Sequence, residues 1–398
     1  MSDAKKYKTP LVDISMRIAL VTSFCPHYRV KTFEVFSKYH AVDYYFFSAG
    51  DDWYWQQQNG IYTGNFHFEY LRGVSVGRTR ITPDLPFKLL RGGYDVYIKC
   101  INGRFALPVT YLVARLRRKP FILWTGIWMR VQTVSHRLLF PLTRFLYRHA
   151  DAILVYGEHV KRYLIQEGVP EQRIFVTAHA VDNDACSRPV SDEEKKNLMR
   201  KLNIPHDKKV ILYLGRLVES KGLSILLEAF ASIKREDAVL LFAGDGEYRA
   251  WIERQATERN MLEQIRFAGY VSTDQTALYY ALAYVCVLPS ITTNTFKEPW
   301  GLVVNESFNQ GTPVIVTDAV GAASGGLVQD GVNGYIVKER NIDELSLALC
   351  RILDNTQSRN AFGKNAQSII AGWDSEAMVL GFRQAVDYVT RTHVVKNG

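Results

Sequence analysis

Short apolar runs recur along this chain, each followed by a loop and then, in several cases, a stretch with helical spacing. Met16 to Thr22 reads as a first strand. Val42 to Phe47, Val96 to Cys100, Phe121 to Trp124, Ala152 to Tyr156 and Arg173 to Thr177 read as further strands. This rhythm predicts an α/β fold with doubly wound sheets. Residues 1–13 read as a loose tail, and the polar, aromatic stretch Tyr54 to Tyr70 as a hairpin insertion. The charged, proline-broken segment Asp182 to Pro205 places the domain linkage around Asp182 to Pro189. A second unit runs from Lys208 to about Ile370, and Gly372-Trp373-Asp374 precedes a last helix, Ser375 to Thr390.

Two segments of the second unit carry chemistry. Val210 to Leu214 is a buried-strand run, followed by Gly215-Arg216-Leu-Val-Glu-Ser-Lys221-Gly222 and the amphipathic run Leu223 to Phe230. Strand, glycine loop and helix make an anion-binding layout, and Arg216 and Lys221 add permanent positive charge. Further on, the apolar run Val285 to Leu288 leads through Pro289-Ser290 to Glu298-Pro-Trp-Gly-Leu-Val-Val-Asn-Glu306. Pro299 and Gly301 belong in a loop, and Val303 to Phe308 continues as helix. A diphosphate at Gly301-Leu302 then has Glu298 just before the turn and Glu306 about one turn beyond it. Carboxylates accept hydrogen bonds from hydroxyls, so two sugars joined through a diphosphate fit this arrangement. That ligand is a nucleotide-sugar.

Other segments follow in order: Phe242-Ala-Gly-Asp-Gly-Glu247, Phe267-Ala-Gly-Tyr-Val271, Gly311-Thr-Pro-Val-Ile-Val316, Gly331-Val-Asn-Gly334 and Trp373-Asp374. Together the set resembles the family 4 glycosyltransferases, retaining enzymes of the GT-B fold. The resemblance runs from about Met16 to Thr390 and is strongest from Val210 to Asp374. It implies two Rossmann-like doubly wound domains facing each other across a cleft. Behind a tail at 1–15, residues 16–185 are then an acceptor-binding N-terminal domain and 186–372 a nucleotide-sugar-binding domain. Residues 373–398 form a helix crossing back to the N-terminal domain.

Roles follow from the same resemblance. Glu298 contacts donor-sugar hydroxyls, and Arg216 and Lys221 neutralise the diphosphate. Glu306 binds the ribose, the backbone of Gly301 and Leu302 meets the phosphates, and Gly215 and Val271 complete the donor site. Cations aimed at the charge that develops on the leaving group supply transition-state stabilisation, so neither metal nor cofactor is expected. A retaining hydrolase would need two carboxylates facing the anomeric carbon. Here the resemblance implies front-face attack by the acceptor, the departing phosphate helping to remove its proton.

The chain departs from the family in its N-terminal half. Ser23-Phe-Cys-Pro-His-Tyr-Arg29 stands where relatives carry a paired-glycine loop, which makes His27 and Arg29 candidates for donor or acceptor contact. Trp124-Thr-Gly-Ile-Trp128 lacks the histidine that relatives place there, so Trp124 and Gly126 join the loop candidates. Backbone in that segment, or a residue such as His27, takes the missing histidine's place.

Composition narrows the class. At 398 residues, with 47% hydrophobic and 22% charged positions, the chain suits two globular domains of ~200 residues. Its five cysteines are scattered without metal-ligand or CxxC spacing, which predicts reduced thiols in a cytoplasmic protein. No apolar run has membrane-spanning length, and no signal peptide is visible. The net charge of +9 is uneven: within residues 72–148 there are 15 basic residues and only Asp84 and Asp95 as acids. Apolar residues interleave with them. This mixture predicts docking on an anionic membrane surface at the inner face of the cell membrane, through Arg115, Arg117, Arg118, Lys119, Arg144 and Arg148. The alternative is that the leucines and phenylalanines are core and the charges solvated or phosphate-binding. Nucleic acid is not expected, since no binding module accompanies the charge.

The leading expectation is a peripheral-membrane transferase of hexose-type sugars onto a lipid-linked glycan. A soluble acceptor, or a non-catalytic glycan-binding scaffold on the same fold, stands as the alternative.

Overall fold

The computed structural model describes residues 16–48, 64–77 and 79–397. The tail expected at 1–13 lies outside the described residues, as does most of the insertion expected at Tyr54 to Tyr70. By its internal contacts the chain divides into two compact units. The first takes in the described residues up to Trp124, Ala150–Ala152 and the chain from Phe382; the second takes in Thr125–His149 and Ile153–Gly381.

In the first unit, β1 (Arg17–Thr22), β2 (Ala41–Phe46) and β3 (Phe68–Tyr70) pair in parallel, with β2 between the other two. Phe68–Tyr70 is therefore a parallel sheet strand and not part of a hairpin. The hairpin of this region comes next, where β4 (Val74–Val76) and β5 (Thr79–Ile81) pair antiparallel. β6 (Val96–Cys100) lies on the other side of β1, followed by β7 (Phe121–Thr125), giving the order β3-β2-β1-β6-β7. Ile18, Ala19, Leu20 and Val21 are all fully buried, the continuous apolar pattern of a parallel strand covered on both faces. β8 (Ala152–Val155) and β9 (Ile174–Val176) form a further parallel pair, in register from Ile153↔Ile174 to Val155↔Val176.

The second unit holds β10 (Lys209–Leu214), β11 (Ala238–Ala243), β12 (Ile265–Gly269), β13 (Val285–Leu288), β14 (Val314–Thr317) and β15 (Gly334–Val337). All are parallel, in the order β12-β11-β10-β13-β14-β15. Chain order thus reverses between β10 and β13. Helices Leu223–Ile233 and Ile342–Asp354 bury Leu226, Leu227, Phe230, Leu349 and Ile352 in its core.

One helix lies where a broken linkage was expected. Asp192–Lys201 is helical because Ser191 accepts a bond from the Glu194 N–H while the Glu194 carboxylate accepts one from the Ser191 N–H. Bonds from the Ser191 N–H, the Ser191 hydroxyl and Arg188 hold the Glu194 carboxyl below its usual range, at about 2.

Candidate functional site

Ligands of doubly wound sheets bind outside the carboxyl ends of the strands, where the strand order reverses. In the second unit that place is β10 and β13, and the loops leaving these two strands carry the charged residues picked out by sequence. Two glycines are required there. Gly222 has φ +66°, and a Cβ on it would lie 2.0 Å from the Pro289 carbonyl oxygen. Gly301 has φ +93°, with Leu288 Cδ2 2.6 Å from the position of a Cβ. Both close approaches bring the β10 loop, the β13 loop and the start of helix Val303–Asn309 together.

Lys221 and Glu298 meet there as a buried ion pair, with 14% and 10% of their side chains exposed. Ser290 donates a second hydrogen bond, 3.0 Å long, to the same carboxylate oxygen. Arg216 is half-buried in the β10 loop, its carbonyl accepting from the Tyr213 hydroxyl at 2.7 Å, and its guanidinium takes part in no ion pair among the described residues. Gly215 opens that loop, and its N–H donates to the Ala243 carbonyl at 2.9 Å.

Glu306 is the fourth residue of helix Val303–Asn309. The Tyr280 hydroxyl donates to its carboxylate at 2.8 Å. Enclosure of the carboxyl group pushes its pKa up to about 7, the tyrosine bond pulling the other way. Gly301 and Leu302 lie in the turn before this helix, where their carbonyls accept from the Val304 and Glu306 N–H groups. Val271 lies beyond the end of β12 and packs partly buried against the core of this unit.

The first-unit candidates are placed differently. His27 and Arg29 are not in a loop: they form the first turn of helix His27–Ser37, which Pro26 precedes. Burial lowers the His27 pKa to about 4. Arg29 is 4% exposed and Trp124 3%. They pack on each other, with the guanidinium 4.7 Å from the indole centroid. Gly126, in the second unit, is buried where the Tyr156 ring would lie 2.3 Å from a Cβ.

Sequence reasoning passed over Lys99, the one charged residue in β6. It is fully buried and donates to the Cys100 and Asn102 carbonyls, each at 2.7 Å. Burial lowers its pKa to about 7. The Asn102 amide then donates to Ser23 Oγ at 3.0 Å, linking the loops after β6 and β1, where this sheet reverses its order. A lysine inside the apolar run Val96–Cys100 was the available signal.

Residues 194–369 match the family described as Glycosyl transferases group 1, and residues 38–185 match Glycosyltransferase Family 4. The chain belongs to the group 1, family 4-type glycosyltransferases. An uncharacterized glycosyltransferase of Methanocaldococcus jannaschii is 30% identical over 52% of this chain and 53% of its own length. The alpha-monoglucosyldiacylglycerol synthase of Streptococcus pneumoniae is 33% identical over 44% of this chain and 39% of its own. The chain thus spans about half or less of these curated relatives. Among solved structures, HepE of Anabaena, crystallised in complex with UDP, superposes with a TM-score of 0.74 at 20% identity, over 94% of this chain and 99% of that one. The fold is accordingly GT-B, with two Rossmann-like domains.

The six basic residues of this glycosyltransferase chain expected at a membrane surface fall into two groups. Arg117 and Arg118 are exposed. The others have partners. Arg115 pairs with Asp151 at 2.8 Å and Lys119 with Asp95 at 2.9 Å. Arg144 pairs with Glu167 at 3.4 Å, and Arg148 donates to the Glu167 carbonyl at 2.9 Å. Helix Val134–His149, which carries Arg144 and Arg148 and contains no Asp or Glu, exposes Val134, Leu138, Leu139, Leu142 and Phe145. No helix among the described residues is long and apolar enough to cross a membrane. Among the described residues, no group of three or more His, Cys, Asp and Glu side chains is arranged to hold a metal ion.

Proposed function

We propose that this chain is a retaining, metal-independent hexosyltransferase. It moves a hexose-type sugar from a nucleotide-sugar donor to a lipid-linked glycan acceptor, in the synthesis of a polysaccharide, glycolipid or glycoprotein glycan. The observation that carries the reading is the Lys221–Glu298 pair, formed between the loops that leave β10 and β13 at the reversal point of the second sheet, with Arg216 on the first of these loops. The bond from the anomeric carbon to the donor phosphate breaks, and its electron pair passes to the phosphate oxygen. Arg216 and Lys221 stabilise that charge. An acceptor hydroxyl forms the new bond on the same face and gives its proton to the departing phosphate. Glu298 orients the sugar through its hydroxyls, and Glu306 accepts from the ribose. The UDP complex of a structural neighbour supports the donor class.

The lipid half rests on helix Val134–His149, whose exposed apolar residues alternate with Arg137, Arg144 and Arg148. That pattern suits the interface of an anionic bilayer, here the cytoplasmic face of the cell membrane. The lipid product class in the name of the pneumococcal relative agrees with it.

Thermal shift with UDP, GDP, ADP and their sugar conjugates, without added metal, tests the donor site. A ligand at 100 times its Kd raises stability by ~2.7 kcal/mol. One base series shifting the midpoint is expected; no shift with any of them in folded protein favours the scaffold. Co-sedimentation with anionic vesicles tests the lipid half. Loss of binding in Arg117→Glu/Arg118→Glu is expected, and binding that survives this change removes these two arginines from the docking surface.

A further inference from the structure

Two carbonyls of the Glu298 segment are bonded by side chains far away in sequence. The Trp128 indole N–H donates to the Glu298 carbonyl at 3.0 Å, and His159 Nε2 lies 3.0 Å from the Pro299 carbonyl. A carbonyl only accepts, so Nε2 carries the hydrogen. Burial lowers the His159 pKa to about 4, leaving the ring neutral with Nδ1 as its bare nitrogen, buried without a hydrogen-bond partner among the described residues. The two rings meet edge to face with centroids 4.8 Å apart, and the Lys297 ammonium sits 3.8 Å from the Trp128 centroid.

The main chain is held from other directions as well. Gly321 N–H gives the Glu298 carbonyl a second bond of 3.1 Å, and Ala322 N–H holds the Trp300 carbonyl at 2.7 Å. Three successive carbonyls are thus fixed, and the first has both lone pairs engaged. Glycines make the room: a Cβ on Gly157 or Gly325 would lie 3.0 or 2.9 Å from His159 Nδ1. Packing alone does not call for a histidine here, because an apolar ring would fill the space without leaving a buried nitrogen unbonded. The donated hydrogen bonds are what distinguish Trp128 and His159 from ordinary core residues.

The geometry points to Trp128 and His159 as positioning residues that fix the backbone from which the Glu298 carboxylate reaches Lys221. The inference rests on the proposed role of Glu298 for its functional consequence, and neither residue touches substrate. They act on the sugar-facing end of the site, whereas Glu306 serves the nucleotide end. Damage to the clamp therefore separates turnover from nucleotide affinity.

The test uses the full chain and the variants Trp128→Phe, His159→Phe and His159→Gln. Transfer kinetics, affinity for UDP and GDP, thermal midpoint and amide hydrogen exchange over residues 298–304 are measured together. A misplaced reacting group costs up to about 100-fold, so kcat is expected to fall about 10- to 100-fold in Trp128→Phe and His159→Phe. Donor KM, diphosphate affinity and midpoint stay near the wild type, and exchange speeds up within 298–304. His159→Gln, which keeps a donor, restores most of kcat. Unchanged kcat in both phenylalanine variants, or parallel loss of kcat, diphosphate affinity and midpoint, overturns the inference. A wild type that transfers no sugar overturns the proposed function instead. Exchange then decides the clamp alone: faster exchange confined to 298–304 supports it, and unchanged protection in both phenylalanine variants overturns it.

Discussion

Each sheet reverses its strand order once, and the loops at each reversal involve a lysine with few contacts to water. In the first unit it is Lys99, fully buried and bonded to main-chain carbonyls. In the second it is Lys221, paired with the Glu298 carboxylate and sharing its loop with Arg216, whose guanidinium takes part in no ion pair among the described residues. Carbonyls solvate an ammonium group without neutralising it, so Lys99 carries a desolvation penalty that shows as a lowered pKa. A carboxylate supplies opposite charge, and an incoming anion can replace it. Burial thus makes one lysine part of the scaffold, and the other a group with a partner to exchange.

The most severe way to test that contrast is Lys221→Ala. It removes a cation from the leaving group and strands a buried carboxylate. A fall of about 100- to 1,000-fold in kcat/KM is expected, read from donor turnover. Turnover within a few-fold of wild type would put Lys221 in the same structural class as Lys99.

Glu306 sharpens the second-unit half of the comparison. Its folded pKa is about 7, above the ordinary carboxyl value, and a ribose hydroxyl donates best to the ionised form. Diphosphate affinity should therefore rise with pH up to about 7 and level off above it, by several-fold in a titration. Glu306→Gln should bind more weakly and without that dependence. A pH slope that persists in the glutamine variant would assign the titration elsewhere.

The last test concerns Lys99. Its folded pKa is about 7, whereas an unfolded lysine titrates near ~10.4. Between these values the unfolded chain binds a proton that the folded one lacks, so Lys99 makes stability rise with pH in that window and adds no slope below it. The stability of wild type minus that of Lys99→Met should thus increase from pH 7 towards pH 10 in denaturant titrations. A flat difference would mean that the carbonyl cage fully offsets burial.

What the sequence disclosed follows the same division. Val285–Leu288 is a strand with the boundaries its apolar run predicts, and Glu306 sits in the helix that follows Gly301. Both signals are local: a run of apolar residues, a glycine, a helical period. The helix Asp192–Lys201 was masked by nearby prolines, although Ser191 and Glu194 spell its capping box. His27 and Arg29 read as loop because their segment stands where relatives carry a paired-glycine loop, whereas the chain turns helical directly after Pro26. The bond from Trp128 to Glu298 spans 170 positions. No periodicity along the chain encodes a contact of that kind; only the folded sheet brings the two together.

The closed state of the Lys221–Glu298 pair sets an entry condition. An anion that draws Lys221 away leaves a carboxylate enclosed without its counter-charge, an arrangement that is strongly unfavourable. Inorganic phosphate or sulfate satisfies only one of the two partners. A molecule that brings negative charge and hydroxyl donors joined at a fixed distance satisfies both at once. Under the proposed function the pair is a coincidence detector, and simple anions are expected to bind more weakly than a nucleotide-sugar.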